Sequence, residues 1–239
     1  MKNISAKLKN PVSLIQRTLY KTIVGPIVYG EGNDYDAQRY WRDRFSKYGH
    51  SLKGVGHEGL SEQENEKAYA EAAKVFIDVC HKENIAFQSA RVLEIGCGTG
   101  FYTQILHDLG VNSYLGVDIT DVLFPELRKK FPHFEFLRKD VTTDVIEEKF
   151  DLIVMIDVIE HIVEASKIIS TMDRVKSCLS RNGVFLVAPI VKVKRKELFY
   201  VKFWSDDDIK KNFTGYNFGE LVPFRNGYLT TVKNDHSRC

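Results

Sequence analysis

The chain has 239 residues, a net charge of +2 at neutral pH and four cysteines. That length allows one α/β domain with a substantial core plus an appendage, and near-neutrality gives no whole-protein field for nucleic acid. Cys80, Cys97, Cys178 and Cys239 lie far apart with no C-x-x-C, which argues against a zinc site and a disulfide framework and sets the expectation of a reducing, cytoplasmic setting.

The first sixty residues read as a tail and a cap. Lys2, Lys7, Lys9 and Lys21 alternate with Ile4, Leu8, Leu14, Ile15 and Leu19. That pattern suits weak contact with an anionic membrane surface, but Pro11 interrupts it, and a loosely ordered tail is the preferred reading. It lacks the continuous apolar core and small-residue cleavage site of a secretory signal, and no apolar run nears the ~20 residues of a membrane span. "YDAQRYWRDRFSKYG" predicts a helix carrying Tyr40, Trp41, Arg44 and Phe45. "HSLKGVGHEGL" follows, with His50, His57 and three close glycines, Gly54, Gly56 and Gly59, that suit a lid.

From Ser61 the pattern is helical. Ser61 and Glu64 form an S-x-x-E capping box, and Tyr69, Ala72, Ala73, Phe76, Val79 and Cys80 fall on one face. Strands then alternate with helices: "RVLEIG", helix "TQILHDLG", "SYLGVD", helix "DVLFPELRKKF", "FEFLRKD" and "FDLIVMID". A long helix is expected over 163–179, ended by Asn182-Gly183, and then strand "GVFLVAP". "SDDDIKKNF" reads as a short helix capped by Ser205. "YNFGELVPF" and "YLTTVKN" flank Asn226-Gly227, a hairpin signal. The fold class is therefore α/β: a doubly wound, Rossmann-like sheet of seven strands, five parallel and the last hairpin giving an antiparallel strand, with a helical N-terminal cap. The expected boundaries are 1–60 for the cap and tail and 61–239 for the main domain.

The stretch "VLEIGCGTGFYT" carries the function. Three glycines at alternate positions leave a strand and open a helix. A dinucleotide fingerprint G-x-G-x-x-G fails in both registers, at Phe101 and at Thr103, and no G-K-[ST] follows for a P-loop. What remains, E-x-G-x-G-x-G from Glu94 to Gly100, resembles motif I of the class I S-adenosylmethionine-dependent methyltransferases, small-molecule type. The likeness runs in element order from about Ser61 to the C-terminus. It implies an acid after strand 2 for the ribose hydroxyls, matched by Asp118, and one after strand 3 near the adenine, matched by Asp140. It implies an acidic element with histidine after strand 4, matched by Asp157, Glu160 and His161 in "DVIEHI". The cofactor implied is S-adenosyl-L-methionine, held by Glu94, Gly96, Cys97, Gly98, Gly100, Asp118, Ile119, Asp140 and Val141. Missing side chains let backbone approach the cofactor, and acids suit a sulfonium cation.

His161 has three readings: structural, general base, or a ligand of Mg²⁺ with Asp157 and Glu160, ranked in that order because the spacing supplies at most three ligands. His50 or His57 would have to fold over to supply a fourth. No metal site is assigned. In this superfamily the segment before strand 1 often builds the acceptor pocket, which makes Tyr35, Tyr40, Trp41, Arg44 and His57 substrate candidates. The basic run 191–197 could read an anionic acceptor. The function implied is methyl transfer to a small molecule, foremost a hydroxyl of a sugar, lipid-linked or phenolic compound. An N-methyltransferase, a non-catalytic cofactor-binding subunit and an RNA 2′-O-methyltransferase stay open. The last lacks a recognisable RNA-binding module, so no nucleic acid partner is expected.

Overall fold

The computed structural model describes residues 11–193, 195 and 197–234. Its centre is one sheet in the order β3-β2-β1-β4-β5-β8-β6, with β7 also paired to β8. The strands are β1 (Arg91–Ile95), β2 (Ser113–Asp118), β3 (Glu135–Arg138), β4 (Phe150–Ile156), β5 (Leu179–Ile190), β6 (Tyr216–Phe218), β7 (Val222–Phe224) and β8 (Gly227–Asn234). The first five are parallel, and β8 runs antiparallel to β5. This is the Rossmann-like sheet expected.

Alternation along the strands builds two cores. Val92, Leu152, Val154 and Leu186 face one side, against Ala72, Phe76, Leu106 and Leu127. Leu93, Ile95, Ile153, Met155 and Phe185 face the other, against Ile168, Met172, Ile209 and Phe213. Strands apolar on both faces can sit only between two helical layers. The first layer holds α5 (Glu62–Lys82), α6 (Phe101–Asp108) and α7 (Phe124–Lys130); the second holds α8 (Ala165–Cys178) and α9 (Asp206–Lys210). The predicted capping box at Ser61/Glu64 is formed, and the predicted cap Ser205 forms a capping box with Asp208.

Three expectations need correction. The sheet has eight strands, because "YNFGELVPF" breaks at Gly219 into β6 and β7. A Cβ at Gly219 would lie 2.4 Å from the Thr231 hydroxyl, so the chain turns there against β8. The long helix stops at Cys178 and passes straight into β5, so Asn182-Gly183 lies within a strand. The pairing of β4 with β5 shifts register between Phe150 and Leu152, and that irregularity absorbs the pair. In the hairpin the two loop residues are Arg225 and Asn226, with Gly227 opening β8 opposite Phe224. Arg225 takes the positive φ of 42°.

The N-terminal region is helical from Pro11: α1 (Pro11–Leu19), a π-helical turn (Tyr20–Val24) and α2 (Gly25–Tyr29) run on without a break. Pro11 opens α1, and the expected loose tail is a helix in its described part. Residues 1–10, with Lys2, Lys7 and Lys9, lie outside the described residues. Next come α3 (Ala37–Tyr48) and α4 (Leu52–Val55). These segments dock through an aromatic cluster of Tyr29, Tyr35 and Tyr40 with Phe199 and Tyr200 from the β5–α9 connection. Tyr40 stacks on Tyr200 with ring centres 4.9 Å apart.

Candidate active site

The site lies where strand order reverses, at the carboxyl ends of β1 and β4, the place where open α/β sheets bind ligands. Gly96, Gly98 and Gly100 all have positive φ. At Gly96 (φ +76°) a Cβ would stand 2.1 Å from the Val158 side chain, so both conformation and space demand glycine. Gly100 instead caps α6 in the left-handed region and does not line the cavity.

Asp118 ends β2 and is buried. Its Oδ2 accepts from Gly98 N–H at 3.0 Å and its Oδ1 from Thr120 N–H at 3.1 Å. Burial pushes its carboxyl up to about 6 against these bonds. Glu94 lies beneath the loop, its Oε2 accepting from the Tyr114 hydroxyl at 2.6 Å and from Thr103 at 2.9 Å. Burial pushes Glu94 up to about 7. The Cys97 thiol is buried and pushed well up, so it is no nucleophile.

A carboxyl raised in the folded state binds more protons there than when unfolded. The stability it contributes is present below its unfolded value near 4.5 and is lost as pH rises through about 7. Glu94→Gln is therefore expected to shrink the fall in Tm of the ligand-free protein between about pH 5 and pH 8, read by calorimetry at both ends. An unchanged fall would show that Glu94 does not carry this pH dependence.

After β3, Asp140 Oδ1 accepts from Thr142 N–H at 2.8 Å, closing a local turn. Val141 is buried, and the Thr142 hydroxyl is buried without a partner beside it. Ile119, Asp140, Val141 and Thr142 share one wall of the cavity. An orphaned hydroxyl next to an acid and an apolar side chain fits the edge and face of a purine.

Beyond β4 the three expected residues diverge. Asp157 (φ 57°) donates its N–H to Ala188 O at 2.9 Å, and its carboxylate is ion-paired with Arg225, whose guanidinium lies 4.0 Å from the Tyr69 ring centre. Glu160 is turned inward and does not line the cavity. Burial first, then the neighbouring Asp157, push its carboxyl well above the usual carboxylate range. His161 does line the cavity. Its Nδ1 lies 2.8 Å from Tyr200 O, and since a carbonyl only accepts, Nδ1 carries the proton. Burial pushes His161 down to about 4, away from the ordinary histidine value, so the ring is neutral at physiological pH. Trp41 packs edge-on against it, centres 4.7 Å apart.

Among the described residues no three His, Cys, Asp or Glu side chains gather to hold a metal ion. His50 sits instead on Thr99 O and Glu126, and His57 on Gly59 N–H. The four-ligand arrangement weighed from the sequence is not formed.

Of the five substrate candidates, Tyr35 and Trp41 line the cavity. Tyr40 is spent in the aromatic cluster. Arg44 is a clamp: it donates to the carbonyls of Gly54 and Lys53, to Tyr40 and, at 2.6 Å, to Glu58. Asn65, 1% exposed, exchanges hydrogen bonds with the backbone of His57. A Cβ at Gly56 would come within 2.4 Å of Asn65 Oδ1. The glycine loop read as a lid is thus fastened down. Lys192 lies over Tyr228 and Arg195 over Phe203, and neither lines the cavity; Lys194 and Lys196 lie outside the described residues.

The sequence reading missed Phe45, Val55, Tyr69 and Tyr102 as cavity walls. Tyr69 had signalled itself only as part of a core stripe. Arg225, which holds Asp157, lies 68 positions away and carried no signal. The cavity is open to solvent.

Residues 93–185 match the family model described as "Methyltransferase domain". The chain is 28% identical over 127 residues to the ribosomal protein L11 methyltransferase of Acetivibrio thermocellus, covering 52% of this chain and 37% of that protein. It is 29% identical over 104 residues to a ubiquinone biosynthesis O-methyltransferase of Bradyrhizobium diazoefficiens, covering 42% and 40%. The chain thus spans about two fifths of the length of either curated relative. In fold it resembles the magnesium protoporphyrin IX methyltransferase of Synechocystis, solved with S-adenosylmethionine bound, at a TM-score of 0.63 and 17% identity, covering 83% of this chain and 97% of that one.

Proposed function

We propose that this chain is a class I S-adenosylmethionine-dependent methyltransferase and that it methylates a hydroxyl on a small acceptor with an apolar or aromatic body. The observation that carries the reading is that the glycine loop, Asp118 and His161 line one cavity. Gly96 and Gly98 leave room for the methionine part of the cofactor, Asp118 is the acid for the ribose diol, and Ile119, Val141 and Thr142 enclose the adenine. When bound, the cofactor supplies an electrophilic methyl group on a sulfonium.

The chain's own part is alignment, dryness and a proton acceptor. Tyr35, Trp41, Phe45 and Tyr69 wall the acceptor side and exclude water. His161, with its Nδ1 proton committed to Tyr200 O, offers Nε2 to take the acceptor's hydroxyl proton. Asp157 is held away from this task by Arg225. The cap formed by residues up to about 60 closes the acceptor side and is part of the site rather than a separate domain.

Titration calorimetry tests the cofactor assignment. Asp118→Ala is expected to weaken S-adenosylmethionine by about 2–3 kcal/mol, roughly 30- to 150-fold, the worth of charge-assisted bonds to a diol. Native affinity in that variant would mean that another group holds the ribose. A screen with labelled cofactor against phenols, sugars, lipid-linked alcohols and amines tests the acceptor. Methylation of amines alone would replace the hydroxyl reading.

A further inference from the structure

We propose that the N-terminal helix, residues 11–29, lies on an anionic lipid surface with its outer face in the headgroup–acyl boundary. The orientation of the helix is set by its inner side. Lys21, Gly25 and Tyr29, spaced by four, face the protein: the Lys21 ammonium lies 5.7 Å from the Tyr200 ring centre, and Tyr29 stacks on Phe199. At Gly25 any side chain would strike the Phe199 ring, 2.2 Å from the Cβ position, so the helix is pressed against the domain there.

That leaves a second series spaced by four pointing away. Ile15 is 66% exposed, Leu19 49%, Ile23 51% and Ile27 79%, flanked by exposed Tyr20, Val24 and Val28. Seven large apolar side chains on one exposed helical face form a contiguous patch, which on soluble proteins marks an interaction site. Beside it the Thr22 hydroxyl is satisfied, donating to Thr18 O at 2.8 Å.

Charge selects the occupant. Residues 1–30 hold Lys2, Lys7, Lys9, Arg17 and Lys21 and no aspartate or glutamate, so the segment is cationic even with Lys21 turned inward onto Tyr200, in a chain whose total net charge is +2. An anionic bilayer complements such a segment, each cation near the surface adding to the attraction. A second copy of the chain does not: a two-fold contact would bring both sets of cations together with no acid on either helix to meet them. Among the described residues no helix is long and apolar enough to cross a membrane, so the helix lies on the surface and does not span it.

The test is co-sedimentation of the full chain with vesicles of phosphatidylcholine alone and of phosphatidylcholine with phosphatidylglycerol. The chain is expected to bind the anionic vesicles, bind the neutral ones much more weakly, and lose binding as salt is raised. The double variant Leu19→Glu, Ile23→Glu is expected to bind at least about ten-fold more weakly while keeping its Tm, because both side chains are already in solvent. Absence of binding to anionic vesicles overturns the proposal, and so does equal binding by the double variant. A dimer in solution that the double variant converts to monomer also overturns it, assigning the face to a second copy.

Discussion

Gly98→Val is expected to abolish binding of S-adenosylmethionine and of its demethylated product. Wild type at about 100 times the dissociation constant should gain about 2.7 kcal/mol, which for a chain of this size raises Tm by roughly 5–10 °C. The variant should show no rise, and calorimetry should register no binding heat. Three effects act together. Gly98 has a φ of +46°, which a β-branched residue adopts only under strain. The new Cβ would lie 3.4 Å from Val55 and 3.8 Å from Phe45, both on the cavity wall, so the added methyls take up the space beneath the cap. Shifting the loop would also cost the Gly98 N–H bond that positions Asp118. NADH should not raise Tm even in wild type, since the loop lacks the third glycine of the dinucleotide fingerprint. Binding by the variant within about threefold of wild type would remove the loop from the cofactor site.

The second large effect is at His161. Loss of a positioned general base costs roughly 10²- to 10⁴-fold in kcat, about 3–5 kcal/mol in the barrier. His161→Ala should show this fall with the cofactor affinity unchanged. His161→Phe keeps a ring between Trp41 and Tyr200 but has no nitrogen, and should be as inactive. If the ring were there only to fill space, the phenylalanine variant would retain turnover, and that result would end the base assignment. The pH profile carries a further mark. Because burial pushes His161 down to about 4, kcat/KM should stay level on its acid side until pH falls toward that value, with no rise at the unperturbed histidine value of ~6.5. Burial of the ring, which sets this difference, cannot be seen in the order of residues.

Local order in the chain carried the frame and the cofactor half of the site. Apolar runs such as "LIVMI" can only be sandwiched strands. Ser61 with Glu64 starts a helix wherever it occurs before an apolar stripe. Glycines at 96 and 98 answer to backbone conformation and to a neighbour placed by the adjoining strand. Asp118 ends β2 and Asp140 follows β3 at the same sheet edge, so element order alone brings them to one cavity. These are short-range or topological constraints, and periodicity and spacing express them directly.

The acceptor half obeys no such rule. Tyr40, Trp41 and Arg44 lie within one turn or so of the same helix, yet one joins an aromatic cluster, one faces the cavity and one clamps a loop. Which it is depends on partners such as Phe199, Tyr200 and Glu58, placed by other elements. Asp157 and Glu160 looked like a matched pair with His161, but Arg225, from the far hairpin, took one and the other turned away from the cavity. The N-terminal residues show the same limit in reverse. Their mixture of lysines and aliphatics is plain in the sequence, but that Lys21 turns in and Ile23 turns out follows from where Gly25 meets Phe199. Side-chain roles set by contacts between distant segments, and by the burial those contacts create, exist only once the chain has folded.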